Sequence, residues 1–153
     1  MAWHIICALA KKLGYPAPLT YEDEFPANDP DGKARDRRLD FAFFLQLTPE
    51  MAEEIAAYER VCFVDAHTGD IPQEVQMVPV ESEFQRSPFT HHLTPQSLLS
   101  MCETLYQKKP KAALVSVRGY HFGFERELSA ETGALVPEAV GLITKWLDSS
   151  PTL

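Results

Sequence analysis

The chain lacks the cysteine pairs, long apolar runs and basic excess that would mark a disulfide scaffold, a membrane protein or a nucleic-acid binder. Its three cysteines, Cys7, Cys62 and Cys102, are odd in number, widely spaced and each set in an apolar stretch. Neither a disulfide framework nor a CxxC metal site fits that pattern, and reduced, buried thiols are expected. No apolar run approaches the roughly 18 to 20 residues that span a bilayer. The opening MAWHIICALA has no basic segment ahead of a long apolar stretch and a cleavage site, so a cytoplasmic protein is expected. A formal charge of −8 and a pI near 5.1 offer no basic surface overall for a phosphate backbone or an anionic membrane, and point to a protein or neutral small-molecule partner. G-x-S-x-G, Walker A, G-x-G-x-x-G and HExxH are all missing, which removes the common hydrolase, nucleotide-binding and zinc-protease readings.

What is present suits one α/β domain: 153 residues, 45% hydrophobic, suffice for a single substantial core. Residues 2–13 (AWHIICALAKKL) place Trp3, Ile6, Ala10 and Leu13 on one face, with Lys11 and Lys12 near a helix C-terminus and Gly14 as the stop. This helix begins at Met1 with no strand or capping residue ahead of it, and an absent upstream segment is the expectation. Residues 15–40 hold Pro16, Pro18, Pro26 and Pro30 among dense mixed charge, including Lys33, Arg35, Arg37 and Arg38, and read as a polar loop, either a surface insertion or a functional flap. Residues 41–47 (FAFFLQL) read as a buried strand. Thr48 and Pro49 would then open a helix to about Tyr58, leading into a second strand parallel to the first. Residues 74–80 (EVQMVPV) alternate, with Pro79 indicating an edge strand. Thr94 and Pro95 start another helix, residues 111–118 (KAALVSVR) read as a central strand, and Ser129 caps a last helix before a tail at 148–153.

The candidate site centres on residues 60–69 (RVCFVDAHTG), an apolar strand expected to break into a polar loop at Asp65. A carboxylate beyond the end of a strand in an open α/β sheet faces the ligand crevice, whereas the plainer reading has Asp65 start a turn. Gln46, near the end of its own expected strand, would lie on the same sheet edge. His91 and His92 sit just before a helix, where one imidazole can reach a metal while the other turns away. His4 is more simply a solvated or satisfied histidine, and His121 lies in an aromatic loop. Asp65 with one imidazole would give a divalent transition metal two ligands, fewer than a stable site has. Cys62 and Ser116 are poor nucleophile candidates, since neither sits in a nucleophile turn.

The order of LQLTPEMAEEIAAYERVCFVDA, THHLTPQSLLSMCETLY, KAALVSVRGYHFGFERELS and PEAVGLITKWL resembles the hydrogenase maturation proteases. These endopeptidases trim the C-terminus of the [NiFe]-hydrogenase large subunit. The likeness covers the first helix and the chain from about Leu45 onward, and QLTPE, FVDA and THHLTP are specific in combination. It implies a three-layer α/β sandwich with a mostly parallel sheet flanked by helices. It implies metal contacts through Asp65 and His91, with Gln46 and His92 as supporting candidates, and nickel carried in by the large-subunit precursor. A monomer is expected, and the acidic charge balance argues against a nucleic-acid or membrane partner. Family members begin with a strand and a GNxxxxDDG-type turn whose second acidic residue is the third ligand. Neither is in this sequence, and the expectation is a start assigned too late rather than a true deletion, because losing a central strand would leave neighbouring backbone groups unpaired. The alternative is a noncatalytic, truncated relative that binds the nickel-loaded subunit without cutting it.

Overall fold

A computed structural model describes residues 1–20, 22, 23, 25, 39–83, 93–120 and 129–149. It is mixed α/β. The elements in order are α1 (Ala2–Lys12), α2 (Met51–Ala56), β1 (Arg60–His67), β2 (Val75–Val80), α3 (Pro95–Tyr106), β3 (Lys111–Arg118), α4 (Ala130–Gly133) and α5 (Val136–Asp148). Among the described residues the strands form one sheet in the order β1-β3-β2. The Lys111 N–H donates to the Glu59 carbonyl (2.9 Å) and the Gly119 N–H to the His67 carbonyl (3.0 Å), so β1 and β3 start and finish together and run parallel. The Arg118 N–H donates to the Glu74 carbonyl (2.8 Å), which pairs the end of β3 with the start of β2 in antiparallel fashion. The sheet is therefore mixed rather than mostly parallel. β3 is central, as its continuous apolar run predicts, and β2 with Pro79 is an edge.

The chain divides into two compact units. The first (residues 1–43, 66–75 and 117–153) is built on the packing of α1 against α5, with Ile5, Leu9 and Ala10 buried on one helix and Ala139, Val140 and Ile143 on the other. α1 stops as expected. Gly14 has φ +79°, and the Tyr15 N–H reaches back to the Ala10 carbonyl at 2.8 Å, satisfying a carbonyl the helix leaves open. Phe41 holds the described parts of the polar loop, edge-on to Tyr15 (5.4 Å between centroids) and stacked on Phe25 (5.8 Å). The expected last helix is two. Ser129 caps α4 by accepting the Thr132 N–H at 3.3 Å, and α5 starts afresh with Pro137 in its first turn. Proline has no N–H and disfavours helical geometry in the residue before it, so it sits at a helix start and breaks a continuous one.

The second unit (residues 44–65 and 76–116) packs α2 on α3, with Met51 and Ala52 against Leu98 and Cys102. The Cys102 thiol also lies 3.3 Å from the Ala52 carbonyl. Leu99 joins Val80 and Ala112 to fix α3 to the sheet. α3 begins as the sequence indicates: Thr94 Oγ1 accepts the Ser97 N–H (3.1 Å) and Pro95 takes the first turn. Thr94→Ala should cost about 1 kcal/mol, the usual worth of such a cap. Thr94→Ser should cost much less, a contrast that urea unfolding of the two variants would read.

Residues 41–47 are not a strand. Phe44 is 53% and Leu45 90% exposed, and no described strand pairs with this segment, so its β-propensity has no sheet to act through. Gln46 consequently lies in an exposed bend rather than at a sheet edge, and the strand-helix-strand crossover is replaced by the β1/β3 pairing. α2 is also shorter than expected. Its N-cap is Glu50, without a side-chain cap bond, and it ends at Ala56. Thr48 contributes its backbone carbonyl, which accepts the Met51 N–H at 3.1 Å.

Candidate functional site

Asp65 lies inside β1 rather than beyond it, because pairing with β3 carries the strand on to His67. Its side chain is exposed while Val61, Cys62, Phe63 and Val64 before it are partly buried. His91, His92 and His121 fall outside the described residues, as do Lys33, Arg35, Arg37 and Arg38. His4 is on α1, edge-on to Trp3 at 5.0 Å. No group of three histidine, cysteine, aspartate or glutamate side chains among the described residues could hold a metal ion. Cys62 is no nucleophile: burial pushes its thiol up to about 12, so the reactive thiolate is absent at neutral pH. Ser116 is buried in β3.

The structure adds a network that sequence reading missed, at the turn after β1 in the first unit. The His67 side chain is only 5% exposed, and its Nδ1 accepts the Gly69 N–H at 3.1 Å. A ring nitrogen that accepts carries no proton, and Nε2 of the same ring is enclosed with no hydrogen-bond partner among the described residues. Asp70 Oδ1 lies 3.8 Å from the same Nδ1, a contact that is not an ion pair while Nδ1 accepts. Gly69 has φ +105°, and a Cβ built there would lie 3.2 Å from both Cζ and Nη2 of Arg118. The Arg118 guanidinium sits 4.7 Å over the Tyr120 ring. Tyr120 is anchored at both ends, its hydroxyl donating to Glu74 Oε1 (2.8 Å) and its N–H to Thr132 Oγ1 (3.3 Å). The signal available in sequence was the run HTGD itself, since a glycine two residues after a histidine allows the ring to cap a tight turn.

Gly69→Ala should cost about 2 kcal/mol, combining an unfavourable positive φ with displacement of the guanidinium. Gly14→Ala meets a similar φ of +79° but nothing within 4 Å of the new Cβ. It should cost about half as much, and the difference between the two in urea unfolding measures the Arg118 contact.

No protein-family model, no curated protein and no solved structure matches this chain. No helix among the described residues is long and apolar enough to cross a membrane.

Proposed function

We propose that this chain is an endopeptidase of the hydrogenase maturation type, which removes the C-terminal extension of a [NiFe]-hydrogenase large-subunit precursor already loaded with nickel. The observation that carries the reading is the placement of Asp65. The aspartate of FVDA is exposed near the carboxyl end of a strand whose preceding residues are partly covered, and it is the carboxyl ends of strands that line the ligand crevice of an open α/β sheet. The fold proposed with it is a three-layer sandwich, helices covering both faces of the sheet.

In this reading the nickel belongs to the substrate. Asp65 and His91 approach it from the protease, with Gln46 and His92 as supporting groups, so recognition of the metal reports that its insertion is complete. The metal polarises the scissile carbonyl or lowers the pKa of a bound water. Water then adds across the peptide bond, giving a new carboxylate on the large subunit and a free amine on the released extension. The partner is the precursor, met by a cytoplasmic monomer that binds neither nucleic acid nor membrane.

Incubating the protein with nickel-loaded precursor and weighing the products tests this. Loss of the extension's mass is expected. A stable complex with no mass loss would favour the noncatalytic binder instead, and neither binding nor cleavage would overturn both.

A further inference from the structure

We propose that Arg118, held by the turn after β1, is a recognition site for a carboxylate, either of a small acid or of a peptide. The guanidinium is pre-set from two sides. It lies over the Tyr120 ring, that ring is fixed through its hydroxyl and its backbone N–H, and Gly69 lets the group approach the turn closely enough that a Cβ would press on Cζ and Nη2. The turn is in turn held by the buried His67 ring accepting the Gly69 N–H. An ordinary surface arginine gives up rotamer freedom when it binds an anion, and here that entropy has already been lost on folding.

The charge is also available. Arg118 is partly exposed as a residue, while its Nε is enclosed and has no hydrogen-bond partner among the described residues; the Nη1/Nη2 edge is the part assigned to the ligand. That edge is a planar fork matched to two carboxylate oxygens. Of the nearby carboxylates, Glu74 accepts the Tyr120 hydroxyl, and the Asp70 side chain is 73% exposed to solvent. In a chain of 22 acidic and 14 basic residues, a locked arginine without an ion pair among the described residues is unlike the solvated charges around it. An acidic neighbour chooses among anions. Glu74, bonded to the ring under the guanidinium, would repel a dianion more than a monoanion, which favours carboxylate over phosphate.

The test follows the Arg118 side-chain 15N–1H signals of the whole protein during titration with acetate, with N-acetyl-dialanine and with its C-terminal amide, against chloride at equal ionic strength. Saturable shifts are expected with both free acids and not with the amide or chloride, and the tighter of the two acids identifies the source. Arg118→Lys keeps the charge but loses the fork and should weaken binding about tenfold, the value of one charge-assisted hydrogen bond. Equal shifts with the amide, tighter binding of inorganic phosphate than of acetate, or no saturable shift in the unmodified protein would each overturn the proposal. Because the unmodified protein supplies the main readout, a variant that fails to fold would not rescue it.

Discussion

Asp65→Asn is expected to leave the fold intact and to remove precursor processing. Asparagine has the shape of aspartate and retains one side-chain oxygen, and the position is exposed, so the change in stability should stay within about 0.5 kcal/mol, as for most surface substitutions. The chemistry loses far more. A neutral amide is a poor partner for a divalent cation beside a carboxylate, and removing one group that stabilises the reacting centre typically lowers turnover by about a hundredfold or more. The informative pair of measurements is the unfolding midpoint and the rate of precursor cleavage. An unchanged midpoint with lost cleavage assigns Asp65 to the reaction. Normal cleavage by the variant would remove Asp65 from it.

Leu98→Ala should be strongly destabilising, at about 3 kcal/mol. Leu98 is fully buried on α3, where it meets Met51, Ala52 and Cys102. Truncation there loses the transfer energy of the removed methyl and methylene groups and leaves a cavity that the packed helix pair can only partly close. Leu105→Ala on the same helix makes a clean control. Leu105 is 57% exposed, and its truncation should change the urea midpoint little. Comparable losses at the two positions would mean that α3 does not pack as described.

What could be read in the sequence was what local chemistry decides. Thr94 and Pro95 mark the start of α3 because a hydroxyl cap and a missing N–H act within one turn, and Gly14 marks the end of α1 for the same kind of reason. β3 was legible as central because a strand covered on both faces is apolar throughout. Residues 41–47 misled because an apolar, aromatic run predicts a strand only if a neighbour exists to pair with it, and pairing is a long-range fact. β1 extends past its apolar run for the converse reason: hydrogen bonds to β3 hold Asp65 and His67 in the strand though their side chains are polar. The network of His67, Gly69, Arg118 and Tyr120 joins segments about fifty residues apart in sequence, and no periodicity announces such a meeting. The position of Asp65 within the strand was not legible, because the apolar run ends before it.

The central claim is that the protein cuts the large subunit and reads its nickel before doing so. The most direct measurement is the mass of the precursor after incubation with this protein, made in parallel on nickel-loaded and nickel-free substrate. The account predicts loss of the C-terminal extension from the loaded precursor and an intact nickel-free one. An intact loaded precursor, or equal cleavage of both, would contradict it.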